Sequence, residues 1–575
     1  MTPPSMNEDT LALNRRRFLE CFSASGLALM PGALMAVSQD AARITAEMLA
    51  AASRIAGVSF SPEDQQAILA RLNGTSGPIP GFEALREARL GDTQPAFVFH
   101  PVLPGKTIDR ERHPLSRQAI TASRPATDED LAFLPVTHLA RLIETRQVTP
   151  TELTTLYLSR LKRYDPQLLC VVSLTEDLAL RQAWQADEEI AAGRYRGALH
   201  GIPFGLKDLF AVRGTKTTWG MTPYRARVID KDSTVYTRLT DAGAILVAKL
   251  STGALAVTAR WFGGLTRCPW DTSQDASGSS AGPGAATAAG LVGFAIGTDT
   301  GGSVIQPSSR NGITGLRPTF GRVSRDGAMV LAWTQDTVGP MCRSAEDCAL
   351  VLHAIHGPDG RDNAVMDVPF NWDAGADVKR LRVGYLRSEF EGEVRITAGS
   401  PAGVEFERAR RVNNQAALDV IRSLGVTVVP FELPDVSVPA IDFIRYAETS
   451  AFFDDVTRSG ELSAVERGPE QSTRPVEIRS AYFTPAVAFI QANRYRTRVM
   501  EQIDAAMSGL DLFVGSRQEL TNRTGHPVIS LPSGFHRGMP TALHLTGQVL
   551  GDTAILRLAH AFQNVTDHHR KRPPL

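Results

Sequence analysis

The chain has 575 residues, of which 43% are hydrophobic and 21% charged, as in an ordinary globular protein with a large core. Its 61 basic and 61 acidic residues cancel, so no net field draws it to nucleic acid or to an anionic membrane, and a small-molecule substrate is expected. The length can hold several domains, but large single-domain α/β enzymes also reach it.

In the first forty residues, Asn14-Arg15-Arg16-Arg17-Phe18-Leu19-Glu20 stands just ahead of an apolar run, 21–37. Pro31 interrupts that run, which is also short for a membrane span. The pattern resembles a twin-arginine export signal over residues 1–38, with Ala36 and Ser38 placing cleavage near Gln39. A periplasmic or otherwise exported protein with no stable membrane association after signal removal is the expectation, and an N-terminal membrane helix is the competing reading. Cys21 leaves with the signal, and Cys170, Cys268, Cys342 and Cys348 match no zinc spacing. Because the twin-arginine route carries folded chains, these four read as buried free thiols, with a Cys342–Cys348 bridge as the alternative.

Helix-period apolar residues mark 41–56 and 62–72, and the Pro-, Arg- and His-rich piece 101–125 reads as a connection over the surface. Residues 39–126 are therefore taken as an N-terminal helical extension and linker ahead of a catalytic domain at 127–575. Thr149-Pro150-Thr151-Glu152 then supplies an N-cap, a first-turn proline and a capping-box acid before an amphipathic helix. Strands are expected near 170–172, 244–250, 294–296, 381–386, 426–431, 512–514, 528–531 and 542–545. Helices are expected at 176–192, 235–242, from 283, and at 344–355, 404–424 and 553–563. The alternation predicts an α/β fold with a mixed, mostly parallel central sheet covered by helices on both faces. Residues 437–495 are irregular in pattern, with clustered charges and aromatics such as Phe452, Phe453 and Tyr482.

The stretch from Ser277 to Pro318 is unusually poor in bulky side chains. It contains Ser277-Gly278-Ser279-Ser280-Ala281-Gly282 and Gly297-Thr298-Asp299-Thr300-Gly301-Gly302-Ser303. Paired glycines let backbone N–H groups turn toward a ligand, which makes an anion cradle with a hydroxyl on its rim. A phosphate loop is excluded because Ser303 stands where its lysine must be. A nucleophile elbow fits the letters of 278–282, but residues 269–275 before it are turn formers and not a buried strand. A serine activated by an uncharged lysine remains, with Lys207 in Gly201-Ile202-Pro203-Phe204-Gly205-Leu206-Lys207-Asp208 as its candidate.

These three blocks closely resemble the landmarks of the amidase signature family, whose two serines lie 24 positions apart, as Ser279 and Ser303 do. Further matches are Gly315-Leu316-Arg317-Pro318-Thr319, Asp336-Thr337-Val338-Gly339-Pro340 and Leu558-Ala559-His560-Ala561-Phe562-Gln563, and the resemblance runs from about 133 to 574. It implies a single large amidase-signature domain in which Ser303 is the nucleophile, Lys207 the base and Ser279 the relay, with a cis bond between Gly278 and Ser279. The oxyanion hole falls to the backbone around Thr300, Gly301, Gly302 and Ser303, and Asp299 orders that loop. In the family, the region corresponding to 437–495 helps shape the substrate pocket; a solvated helical insertion is the other reading. The pattern departs at Ile305, where the family often has an arginine two residues after the nucleophile, and at Ser277, Ala281 and Pro283.

Amide hydrolysis needs a nucleophile, a base, a proton for the departing amine and a place for the oxyanion. A lysine normally titrates near about 10.4, and burial among Ile202, Phe204 and Leu206 lowers this if no carboxylate pairs with it. Asp208 is expected to face away from Lys207, since neighbours in an extended segment point to opposite sides. The expected function is an exported amidase that cleaves a carboxylic amide to acid and amine or ammonia, without metal or cofactor and without nucleic acid. The alternatives are the glutaminase subunit of a tRNA-dependent amidotransferase, or an esterase on the same site. The oligomeric state is open, a homodimer being one option. A histidine-dependent mechanism would have to use His200, His526, His536 or His544, none of which sits in a motif that pairs it with Ser303.

Overall fold

The computed structural model describes residues 44–74, 93, 95–392 and 400–575, so the expected signal at 1–38 lies outside the described residues. The chain divides into two compact units, Met1–Leu90 and Gly91–Leu575. In the first, helices Ala46–Ala56 and Pro62–Asn73 are capped by the side chains of Thr45 and Ser61. Asn73 closes the pair by exchanging hydrogen bonds with the backbone of Ile44 at 2.9 and 3.0 Å. Residues 95–126 belong with the second unit by packing, not with these helices. There Ser116 N–H donates to Trp372 O at 2.9 Å and Gln118 N–H to Glu346 Oε1 at 2.8 Å.

The second unit is built on one eleven-stranded sheet. Its strands in chain order are β1 (Val171–Leu174), β2 (Pro203–Lys207), β3 (Ile245–Leu250), β4 (Phe294–Asp299), β5 (Thr314–Arg317), β6 (Thr337–Cys342), β7 (Arg382–Leu386), β8 (Thr427–Phe431), β9 (Leu512–Val514), β10 (Val528–His536) and β11 (Met539–Gly547). They lie in the order β1-β3-β2-β4-β6-β5-β10-β11-β9-β7-β8. The sheet is mixed as expected, but it is not mostly parallel: four of its pairings are parallel and six antiparallel. One cause is a tight connection at β10–β11, where Arg537 and Gly538 both take positive φ (49° and 80°). Such a two-residue turn matches the twist of a hairpin and forces an antiparallel pair.

The strands near the site are largely apolar because both faces are covered. Leu246, Phe294 and Ile296 enter one core with the helices Ala345–Ile355 and Asp552–Val565. Their neighbours Ile245, Val247 and Ala295 enter a second core with Leu158, Leu161 and the small-residue helix Ala281–Ala288. That helix is small for a reason: a Cβ on Gly282 would stand 2.4 Å from Ser251 N and 2.7 Å from Cys170 O, so the helix can lie on the sheet only if it is nearly bare. Residues 271–275, expected as turns, pair as a short ribbon with Arg267–Cys268.

The capping box at Thr149 and Glu152 is present at the head of helix Pro150–Leu168, which packs Leu153, Tyr157 and Leu161 inward. Thr149→Ala is expected to cost about 1 kcal/mol, read as an earlier unfolding midpoint in urea, because the Glu152 N–H loses its acceptor, the Thr149 hydroxyl oxygen at 3.1 Å. Residues 437–495 are largely helical, in Pro439–Phe452, Asp454–Arg458, Leu462–Arg467, Arg474–Ala481 and the first part of Ala486–Ala506. Cys170, Cys268, Cys342 and Cys348 are buried and free, which removes the Cys342–Cys348 bridge.

Candidate active site

Strands β2 and β4 run parallel as neighbours, so Lys207 at the end of one and Thr298 at the end of the other meet at the carboxyl edge of the sheet. In open α/β sheets this edge is where ligands bind. The Lys207 ammonium nitrogen is fully buried, and its Nζ lies 2.8 Å from Ser279 Oγ, 2.9 Å from Ser280 Oγ and 2.8 Å from Thr298 Oγ1. Ser280 is fixed as an acceptor toward the lysine because its own O–H donates to Thr298 O at 3.2 Å. Among the described residues no carboxylate forms an ion pair with Lys207. Burial therefore prevails over the more distant charges of Asp299 and Asp336 and lowers its pKa to about 7.

Asp208 turns away, as alternation along a strand requires, and meets a lysine the sequence reading missed. Its Oδ1 lies 2.9 Å from Lys249 Nζ, with both side chains fully buried, and its Oδ2 accepts from Thr218 N at 2.9 Å and from the Thr218 hydroxyl. Lys249 sits inside the apolar β3 run, where nothing in the pattern marks it as the partner of Asp208.

The Gly278–Ser279 peptide is cis, as the resemblance implied. A Cβ on Gly278 would overlap Thr258 O at 1.8 Å, so that position admits only glycine. Ser303 lies half-buried between β4 and the helix Ile305–Asn311, and its carbonyl accepts from Ser280 N–H at 3.2 Å. The structure thus joins Lys207 to Ser279 through side chains and brings Ser303 alongside through the backbone. No described hydrogen bond links the hydroxyls of Ser279 and Ser303. Catalytic hydrogen bonds without substrate are commonly long in this way and tighten when the complex forms.

Asp299 organises the loop. Its Oδ1 accepts from Gly302 N at 2.7 Å and its Oδ2 from Val304 N at 2.7 Å and Ile305 N at 3.3 Å. The Gly302 N–H, expected in the oxyanion hole, is therefore already bonded to a carboxylate. The N–H groups of Thr300, Gly301 and Ser303 have no acceptor among the described residues. Arg317, fully buried, pairs with Asp299 at 3.1 Å, and Asn522 Nδ2 adds a bond at 3.1 Å. The Thr300 hydroxyl donates to Asp336 Oδ1 at 2.6 Å, and burial raises the pKa of Asp336.

Comparison with known proteins fits this geometry. The sequence matches the family described as Amidase over residues 152–516. The chain belongs to the amidase signature family. It is 34% identical over 486 residues to a glutamyl-tRNA(Gln) amidotransferase subunit from Methylococcus capsulatus, covering 76% of this chain and 97% of that one. The same-named protein of Azoarcus sp. is 33% identical over 494 residues, covering 76% and 99%. The X-ray structure of the peptide amidase from Stenotrophomonas maltophilia superposes with a TM-score of 0.67 at 29% identity, covering 77% of this chain and 98% of that one.

This amidase is thus an enzyme acting hydrolytically on carbon–nitrogen bonds. None of the four weighed histidines reaches Ser303. His544 Nε2 lies 2.9 Å from Ser309 Oγ and His526 Nδ1 2.9 Å from Thr524 Oγ1, and burial lowers their pKa values to about 3 and about 4. His200 Nδ1 accepts from Arg196 N–H at 3.1 Å, and His536 Nε2 faces Glu405 at 3.5 Å. Ile305 is buried and apolar, so the position two residues after Ser303 carries no charge. The residues that sequence reasoning passed over at this site are Ser280, Thr298, Asn522 and Arg523. The first two stood inside quoted motifs, while the last two come from a distant segment that only the fold brings near.

Proposed function

We propose that this amidase opens a carboxylic amide through an acyl-enzyme on Ser303, with Lys207 as base and Ser279 as relay. The observation that carries the reading is the Lys207 amine, sealed from water, without a carboxylate partner among the described residues and 2.8 Å from Ser279. In its neutral form the amine keeps two N–H bonds for Ser280 and Thr298, and its lone pair is left for the Ser279 hydroxyl. Lys207 takes the Ser279 proton as Ser279 takes that of Ser303, and the Ser303 oxygen bonds to the carbonyl carbon. The carbonyl π electrons move to the oxygen, which the free N–H groups of the Thr300–Ser303 loop are placed to stabilise. The proton held on Lys207 returns through Ser279 to the nitrogen as the C–N bond breaks, releasing amine or ammonia. Water then repeats the sequence on the ester and frees the acid.

The setting of this chemistry has two readings. The relatives named as glutamyl-tRNA(Gln) amidotransferase subunits, at 31–34% identity over nearly their full lengths, favour a glutaminase subunit that works with partner subunits and tRNA. The exported stand-alone amidase rests on Arg15-Arg16 and its apolar run, and the peptide amidase structure supports a stand-alone enzyme. Both readings require an active Ser303, so a fluorophosphonate probe should label that residue, and failure to label it would remove the common core of both. Recovery from cells then separates them. Co-purification of partner subunits with an intact N-terminus supports the amidotransferase reading. Isolation of a lone protein cut near Gln39 in the exported fraction supports the free enzyme.

A further inference from the structure

Arg523 lies at the edge of the Gly301–Gly302 loop and is only 5% exposed. Its Nε and Nη2 donate to Asp442 Oδ1 at 3.2 and 2.5 Å. Its Nη1 is buried and has no acceptor among the described residues. A Cβ at Gly301 would stand 3.6 Å from that Nη1, so the guanidinium borders the loop just where the loop carries no side chain. Asp442 is also shared with Arg445 at 3.5 Å, which leaves two guanidiniums on one carboxylate. Arg317 and Arg496 are close enough for the charge of Arg523 to contribute to the lowering of their own pKa values. Asp299 and Glu448 offset the charges of Arg317 and Arg496, but the Arg523 Nη1 donor has no acceptor among the described residues, and a buried unpaired donor is costly unless a ligand completes it. Gly301, Gln306, Gln518 and Arg523 also border a cavity of about 480 Å³, within the size range of small-molecule sites.

We propose that Arg523 anchors a carboxylate carried by the substrate, so that the preferred amides bear a carboxylate within a few bonds of the scissile carbonyl. The inference rests on Ser303 as nucleophile. Gly301 is two residues from Ser303, and their Cα atoms can be at most about 7.6 Å apart, which sets the short reach between the two groups of the substrate. The guanidinium fork already held by Asp442 presents its remaining edge in a fixed direction, as specific carboxylate recognition requires.

The test compares matched amides on the full chain: succinamate against butyramide, and N-acetylglycine against N-ethylacetamide. In wild type, kcat/KM for at least one carboxylate-bearing member should exceed its neutral match by about 100-fold. In Arg523→Met that ratio should fall below about fivefold, chiefly through KM for the acid. Arg523→Lys, which keeps the charge but loses the fork, should retain an intermediate ratio, and it serves if the methionine variant does not fold. Succinate should also slow fluorophosphonate labelling of Ser303 in wild type and not in Arg523→Met. A wild-type enzyme that treats both pairs alike and is not protected by succinate overturns the proposal. If Ser303 is not labelled at all, the nucleophile assignment has failed, and calorimetry with succinate still decides the subsite. Binding that is lost in the variant supports it; absent binding, or equal binding in both proteins, overturns it.

Discussion

Ser303→Ala is expected to lower amide turnover by about 10⁴-fold or more, and Lys207→Ala by about 10²- to 10⁴-fold, in steady-state assays of the purified protein. The first change removes the atom that bonds to carbon. The second leaves the nucleophile without a base and the departing amine without a proton. The residual rate in either variant would come from binding and from the loop N–H donors, which both substitutions leave in place. The two roles of Lys207 can be separated by the leaving group. An alkoxide departs with less help from an acid than an amine does, so Lys207→Ala should depress amide hydrolysis more than hydrolysis of the matched ester. Equal losses on both would remove proton delivery from the role of Lys207, and ordinary amide turnover in either variant would refute the assignment itself.

The parts of this site that the sequence made visible are those in which chemistry and local backbone coincide. The glycine-rich run at 297–303 must be poor in side chains to expose N–H groups, and Gly278 and Gly282 must be bare for close approach, so composition reports them directly. Lys207 could be read from its place in the block 201–208, although Phe204 and Leu206 enter the core on the other face of the sheet and its own contacts are Ser279, Ser280 and Thr298. What stayed hidden were partners supplied across the fold. Lys249 neutralises Asp208 from a strand that reads as plain core, and Arg523 reaches the Gly301 loop from more than two hundred residues away. The sheet direction was hidden for a similar reason. Apolar strands announce coverage on both faces, but not the sense of pairing, which depends here on connections such as Arg537-Gly538 that carry little compositional signal. Nothing local in 437–495 showed that Asp442, from its first helix, would hold the guanidinium of Arg523 beside Gly301.

Asp299→Asn should act on rate, on pH dependence and on stability together, because one carboxylate serves all three. Its oxygens hold the N–H groups of Gly302, Val304 and Ile305, and an amide presents one nitrogen donor where an acceptor is needed. Release of the loop from its set position should cost about 10²- to 10³-fold in kcat, the usual loss when oxyanion donors are misplaced. The pH profile should move as well. In wild type, kcat/KM should rise with pH through about 7, since Lys207 accepts a proton only when neutral and burial places its pKa there. The Asp299 charge raises that pKa, so its removal leaves burial less opposed. The ascending limb of the variant should therefore lie at lower pH while its plateau is lower than that of wild type. Stability should fall by about 3–5 kcal/mol, because Arg317 is left fully buried without its counter-charge. The double variant Asp299→Asn/Arg317→Met separates these effects. With both charges gone the stability loss should largely recover, whereas the reduced plateau should persist, since the N–H groups of Gly302, Val304 and Ile305 still lack their carboxylate acceptor. Recovery of the plateau along with stability would show that Asp299 acts only by holding the fold, and an unshifted limb in Asp299→Asn would remove its charge from the field that sets the Lys207 amine.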